Sequence, residues 1–343
     1  MNPNDQPKFI IAVDAMGGDY APQSPVLGAV QAAKEDPSLE ILLVGKTREI
    51  KDVLQSNNLS FDENRIIEAE EVITMSDHPA NAHREKPKSS IVIGLNLVKE
   101  KKAAAFVSAG NTGAMMSVST LVLGRLRGVS RPSIGTLLPS EKGFTAIYDA
   151  GANVDSKPQY LFEYAIMGSI FMEEIFGIKN PKVGVLSVGE EEEKGNQLSK
   201  AAFNLIKESK LNFIGNVEGR DILKGKADVV VCDGFVGNVI LKFAEGLVGL
   251  LRSKVKDFAG TGFINTIRVL LMKGTLKKVM KQFDYQTYGG VPLLGVNGIS
   301  IIGHGSSTPL AIKNMIFRAK EMSQKDLVSK IERSLKDFST TNK

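Results

Sequence analysis

Tryptophan is missing from this 343-residue chain, histidine occurs three times (His78, His83, His304) and cysteine once (Cys232). A lone cysteine excludes an internal disulfide and suits a reducing cytoplasm. Cys232 ends an apolar run, where a buried structural thiol is expected rather than a nucleophile. So few histidines leave little for a zinc centre, and H-E-x-x-H does not occur. The nucleophile elbow G-x-S-x-G is also missing. No G-x-G-x-x-G follows a strand-like run, which removes the nicotinamide fingerprint. Val44-Gly45-Lys46-Thr47 resembles the end of a P-loop, but Glu40 stands where that motif needs glycine. Met1 to Lys8 is polar and expected to be disordered, with no charged-then-apolar leader.

What is there is an ordinary globular composition, 43% hydrophobic and 24% charged. The length suffices for one large α/β domain with a substantial core. The net charge of +5 is uneven: Arg252 to Lys281 carries eight Lys or Arg against Asp257, an excess of +7 that leaves the remainder near −2. One basic face needs explaining, and nucleic acid is not an expected partner.

The pattern alternates short apolar runs with helical spacing. Strands are expected at Phe9 to Val13, Leu39 to Val44, Arg65 to Glu68, Ala103 to Val107, Ser133 to Leu137, Thr145 to Asp149, Lys182 to Val188, Asn212 to Asn216 and Val229 to Cys232. Helices are expected at Pro25 to Lys34, Arg48 to Gln55, Ser89 or Ser90 to Lys99, Ala114 to Gly124, Tyr160 to Phe176, Leu198 to Ser209 and Val239 to Val255. This order predicts a largely parallel sheet covered on both faces, with ligands beyond the carboxyl ends of its strands. Asp14, Ser108, Asp149, Glu190, Glu218 and Asp233 fall at such ends.

The stretch Ala103 to Gly124 organises the reading: a buried strand, the turn Ser108-Ala109-Gly110-Asn111-Thr112-Gly113, then a helix. A run of 22 uncharged residues also passes for a membrane span, but the polar turn at its centre argues against that. Gly110 and Gly113 let a ligand approach the main chain, and free N–H groups at the helix start favour an anion. Ser108, Asn111 and Thr112 are expected to add side-chain donors for a phosphate-sized ion. An ordinary strand-to-helix turn that binds nothing is the competing reading. Met75 to Pro87 reads as a polar loop whose Arg84 and Lys86 look like further phosphate ligands, ahead of a Ser89-Ser90 helix cap.

Seven motifs in order carry a resemblance. They are Asp14-Ala15-Met16-Gly17-Gly18-Asp19, Ser108 to Ala114, Asp149-x-Gly151-Ala152-Asn153, Gly189-x-Glu191-x-x-Lys194-Gly195-Asn196, Gly215-Asn216-Val217-Glu218, Asp233-Gly234-Phe235-x-Gly237-Asn238 and His304-Gly305-Ser306-Ser307. From about Phe9 to Glu321 the sequence resembles the bacterial phosphate acyltransferase (PlsX) family of phospholipid synthesis. The resemblance implies a dimeric three-layer α/β/α sandwich like that of the phosphotransacetylases and the isocitrate and isopropylmalate dehydrogenases. It implies an acyltransferase domain over 9–325, after residues 1–8 and before a C-terminal helix or tail at 326–343. The implied reaction moves a long acyl chain from the thioester of acyl-carrier protein to inorganic phosphate. A membrane glycerol-3-phosphate acyltransferase then uses the acyl phosphate. No cofactor or metal is implied. A phosphotransacetylase using short-chain acyl-CoA, or a non-catalytic acyl- or phosphate-binding regulator, remains the alternative.

That chemistry suits the residues. A thioester is already activated, and phosphate is an oxyanion near pH 7, so no Ser-His-Asp triad is required. Positioning and oxyanion stabilisation remain. Lys194 and Asn238, each in a glycine-flanked loop past a strand, are the expected catalytic pair, with His304 as a further donor. Gly17, Gly18 and Asn153 join the expected substrate site. Asp14, Asp149 and Asp233 are expected to orient donors, since a bare carboxylate repels phosphate.

From Phe263 apolar residues recur near helical period with Arg268, Lys273, Lys277, Lys278 and Lys281 mostly between them. Ala259-Gly260-Thr261-Gly262 breaks the preceding helix. A protruding basic hairpin is therefore expected at about 240–283, with Phe258, Phe263 and Ile264 near its tip. Such a segment suits an anionic membrane surface, the acidic carrier protein or a dimer partner. With the resemblance, it predicts a cytoplasmic homodimer held peripherally at the inner face of the cell membrane.

Overall fold

The structure is a computed structural model describing residues 8–281 and 289–340, with side chains to 275 in the first stretch and to 338 in the second. Its eleven strands are β1 (Phe9–Asp14), β2 (Leu39–Gly45), β3 (Ile66–Glu68), β4 (Ala105–Ser108), β5 (Ser133–Ser140), β6 (Gly143–Tyr148), β7 (Val183–Leu186), β8 (Phe213–Val217), β9 (Val229–Val231), β10 (Val291–Leu294) and β11 (Ile299–Ile302). They form one sheet in the order β3-β2-β1-β4-β11-β10-β5-β6-β9-β7-β8.

Strand residues alternate between two apolar layers. Ile11, Val13, Ala105 and Val107 pack on one face, whereas Ala12 and Phe106 pack on the other. Burial on both sides explains why these strands read as unbroken apolar runs. The first face is covered by α1 (Gln23–Glu35), α2 (Thr47–Ser56), α6 (Pro158–Phe176), α7 (Gln197–Lys207), α11 (Pro309–Gln324) and α12 (Leu327–Thr340). The second is covered by α4 (Ser90–Lys99), α5 (Thr112–Val122), α8 (Gly219–Lys224) and the start of α9 (Gly234–Gly260), with the one-turn α3 (Ala82–Glu85) beside α5. The three-layer sandwich expected from the sequence is present. Ala103 to Gly124 is a buried strand and a short helix, not a membrane span.

The sheet departs from expectation at its centre. β10 and β11 are not among the expected strands, and β10 runs antiparallel to both β11 and β5, as does β5 to β6. The two flanking groups, β3-β2-β1-β4-β11 and β6-β9-β7-β8, are each parallel but run in opposite directions. Register explains why their carboxyl ends still meet. Ser108 lies beside Ile302 and Ile302 beside Val291, while Leu293 lies beside Ile134 and Tyr148 beside Gly135 and Val231. The ends of β4 and β11 therefore stand within about one residue step, roughly 3.3 Å, of the ends of β6 and β9. One side of that line holds the first group and the other side the second.

α9 begins five residues earlier than expected, at Gly234, and forms a hairpin with α10 (Phe263–Lys281). Only Gly234 and Gly237 of α9 are buried, and Phe243 and Phe263 are 71% and 81% exposed. Phe258, Ile264, Arg268 and Lys273 are also exposed. α9 is long and apolar enough to cross a membrane by length and composition. The side chains of Lys277, Lys278 and Lys281 lie outside the described residues.

Gly94 tests the packing between α4 and the sheet. A Cβ there would stand 2.0 Å from Cε2 of fully buried Phe106. Gly94→Ala is therefore expected to lower stability by about 1–3 kcal/mol through overpacking, against the helix propensity alanine adds. Urea unfolding measures this, and an unchanged or higher midpoint would show that the ring has room to move.

Candidate active site

Three loops leave the carboxyl ends of β1, β4 and β11 and lock together. The Asp19 N–H donates to the Gly305 carbonyl at 2.7 Å, and the Gly303 N–H donates to the Ser108 carbonyl at 2.8 Å. Asp14 anchors the assembly from below. Its carboxylate accepts from the Ser108 hydroxyl at 2.6 Å and the Met16 N–H at 3.0 Å, and the Gly110 N–H donates to the Ser108 hydroxyl at 3.0 Å. Ser90 also donates to Asp14. A Cβ on Gly17 would fall 2.5 Å from Asp14 Oδ2 and 2.8 Å from the Gly110 nitrogen, so only glycine fits. Gly18 has φ +103°, which glycine adopts readily. Burial pushes the Asp14 carboxyl above the ordinary range despite these donors.

Two of the three side-chain donors expected for an anion in the turn have other partners. Ser108 serves Asp14. Asn111 caps α5 through the Ala114 N–H and spends its amide donor on the Thr74 carbonyl at 3.0 Å. Thr112 is exposed at the first turn of α5. Gly113 packs against Pro79, with room for no Cβ. Lys86 also holds the 72–77 loop, through the Val72 carbonyl and Asp77. Lys86 and the Thr74 donors hold the Asp77 carboxyl down to about 2. Arg84 is exposed on α3. The serine cap is corrected: Ser89 precedes α4 but makes no side-chain cap bond, and its buried hydroxyl has no partner.

Across the cleft a second scaffold positions the start of α9. Fully buried Asp149 accepts from the Ala152 N–H at 3.0 Å and from both nitrogens of Asn153 at 2.6 and 2.8 Å. The Asn153 carbonyl accepts from the Gly234 N–H, and Asp233 caps the helix through the Val236 N–H at 2.9 Å. A Cβ on Gly237 would stand 1.8 Å from the Asp149 carbonyl oxygen, which keeps α9 in direct backbone contact with this loop. Asn238 follows, exposed, against Gly151.

The two scaffolds face one cavity of about 320 Å³, which has Thr112, Asn238 and His304 among its polar lining. The Ser306 N–H donates to His304 Nδ1 at 3.2 Å, so the neutral ring carries its proton on Nε2. Lys194 is exposed in the β7–α7 loop and does not line this cavity. Its neighbours Gly195 and Asn196 border a second, smaller cavity with Asp233 and Cys232. Burial pushes the Cys232 thiol far up, which suits a structural role. Sequence reasoning passed over the cavity walls contributed by β10, although Gly289-Gly290 and Gly295 bracket an apolar run of four residues there.

Asp14→Asn is expected to cost about 1–3 kcal/mol, because its amide nitrogen meets a donor where an oxygen accepted. The wild-type carboxyl has a folded-state pKa above its unfolded value, so it loses stability as pH rises from about 4 through the folded value. The deficit of the variant should therefore be smaller at pH 7.5 than at pH 4.5. Denaturant titrations at the two values check this, and a deficit that grows with pH would contradict it.

Comparison with known proteins shows which family and fold the chain shares. The model of the fatty acid synthesis protein family matches residues 9–330. A phosphate acyltransferase of Halothermothrix orenii is 50% identical over 327 residues, covering 95% of this chain and 98% of its own. One from Desulfitobacterium hafniense is 50% identical over 329 residues, with coverages of 96% and 98%. In fold, a crystal structure of a phosphotransacetylase from Streptococcus pyogenes superposes with a TM-score of 0.61 at 18% identity, covering 93% of this chain and 94% of that one.

Proposed function

This chain belongs to the fatty acid synthesis protein family and is a phosphate acyltransferase, and we propose that its acyl donor is a long-chain acyl-carrier protein thioester. The observation that carries this reading is the single cleft. It joins a helix N-terminus and a histidine donor on one wall to the Asn238 amide on the other, with an apolar interior beyond them. Phosphate rests against Thr112 and the start of α5, where main-chain N–H groups and the helix dipole favour it. The thioester carbonyl lies toward Asn238, whose amide donates to the developing oxyanion. A phosphate oxygen bonds to the acyl carbon and the carbon–sulfur bond breaks. The thiolate, with an ordinary pKa near 8.5, departs and takes a proton from solvent, while the His304 Nε2–H donates a hydrogen bond. Lys194 supplies positive charge from the loop after β7. The chemistry as written needs no resident cofactor or metal, since the thioester is already activated.

The carboxylates support this assignment. Asp14 accepts from Ser108 at the end of β4, and Asp149 and Asp233 accept from the residues that follow them, so all three are committed to holding the scaffold. A general base is not required when the nucleophile is already an anion. The family's product, an acyl phosphate, would pass to a membrane glycerol-3-phosphate acyltransferase. The hairpin of α9 and α10 accordingly rests on the inner face of the cell membrane in a cytoplasmic homodimer. Its exposed apolar residues and basic charge support that reading.

The decisive experiment incubates the protein with palmitoyl-carrier protein and phosphate and traps the product with hydroxylamine for mass spectrometry. Phosphate-dependent palmitoyl hydroxamate is expected, and thioester that survives with phosphate present would overturn the proposal. Asn238→Ala should lower turnover roughly 10²-fold or more, the scale of a lost oxyanion donor. A folded variant with near-normal rate would remove Asn238 from the mechanism. Reversing charge at Lys277 and Lys278 should weaken flotation with anionic vesicles by roughly tenfold or more, at about 1 kcal/mol per charge. Unchanged flotation would show that charge does not drive the contact.

A further inference from the structure

The cleft does not end at the sheet. β10 pairs with β11 through Val291 and Pro292 and with β5 only through Leu293 and Leu294. The continuing partners, Pro292 with Gly135 and Val291 with Thr136, are outside the ladder. Pro292 has no N–H to give, which helps to end the pairing. All four residues line the cavity, together with Leu241 of α9 on one face of the sheet and Phe171 of α6 on the other. The cavity therefore passes through a gap between two central strands.

Its ends differ in chemistry. The mouth carries Thr112, Asn238 and His304, whereas the remaining walls are largely apolar, with Ile134, Leu137 and Ile302 among them. Tyr148 and Phe171 close the far side. Tyr148 is held there by two glycines, since a Cβ on Gly135 or Gly168 would stand 2.0 or 2.8 Å from its ring. Lys242 and Glu245, also at the cavity, neutralise one another at 2.9 Å.

We propose that the gap between β10 and β5 is the acyl-chain subsite: the thioester sits at the mouth, and the chain threads the sheet toward Tyr148 and Phe171. This rests on the acyltransferase reading above and names where its substrate's tail goes. A long, unbranched, apolar group with one polar end matches the slot. Phosphate, a nucleotide or the carrier's pantetheine would strand polar groups against its walls. The aromatic floor then limits the length of chain accepted.

The test measures kcat/KM for carrier thioesters from C4 to C18 in wild type, Val291→Phe and Phe171→Ala. Val291 is partly exposed on the slot wall, so a larger side chain narrows the gap. The C16-to-C4 ratio is expected to fall roughly tenfold or more in Val291→Phe, the scale on which hydrophobic pockets discriminate. Phe171→Ala should move the optimum toward longer chains. If Val291→Phe does not fold, Leu241→Phe, at a half-buried position of α9, narrows the same slot from the other face. Ratios unchanged in folded variants would overturn the subsite while leaving the acyltransferase reading intact. Wild type that consumes no thioester of any length with phosphate would instead overturn that reading.

Discussion

The divided pairing of β10 is the constraint on which the rest depends. Two of its residues belong to the ladder with β11 and two to the ladder with β5. This stagger offsets two oppositely directed halves of the sheet, so that their carboxyl ends share one level. A β10 paired with β5 along its whole length would keep that register and close the gap between them. The cleft, the approach of α5 to α9 and the passage through the sheet all follow from a four-residue strand that does two jobs.

Around that cleft the acidic residues are structural. Asp14 fixes the Ser108–Gly110 turn, Asp149 fixes the loop through Asn153, and Asp233 fixes the first turn of α9. The donors of each carboxylate come from the protein's own loops and strand ends on its side of the cleft. A site built this way presents N–H groups, an amide and an imidazole, with its carboxylates already engaged. Preorganised donors that need no reorganisation are what an anionic nucleophile and a developing oxyanion require.

How much of this was legible in the sequence divides along physical lines. Apolar runs and helical spacing placed most of the elements, because burial on both faces of a sheet leaves a strong local pattern. Gly110 and Gly113 could be read as sites of close approach, but the neighbours a Cβ would meet there are the Ser108 hydroxyl and Pro79 of the protein itself. The largely parallel sheet was legible, but its antiparallel centre was not, since a strand buried on both faces shows the same apolar run beside a neighbour of either direction. Nor were the partners of Asn111 and Lys86. Both hold the 72–77 loop, and the Thr74 carbonyl lies 37 residues from Asn111 in the chain. Periodicity carries no information about a carbonyl that far away, so donors that looked available for an anion were already occupied.

α9 ties the chemistry to the surface. Asn238 sits in its first turns and Gly260 at its last, a span of about 33 Å at 1.5 Å per residue. Gly234 and Gly237 seat the inner end on the Asp149–Asn153 loop through backbone contacts that no other residue would fit. The outer end carries exposed Phe258 beside the tip residues Phe263 and Ile264. On the proposed reading, one rigid helix therefore sets the oxyanion donor, forms a wall of the acyl slot at Leu241 and continues as an apolar stripe. An amphiphilic product drawn out of the slot meets that stripe before it meets bulk water. The free energy of exposing a long acyl chain, about 0.8 kcal/mol per methylene, then favours departure along the helix over departure into solvent.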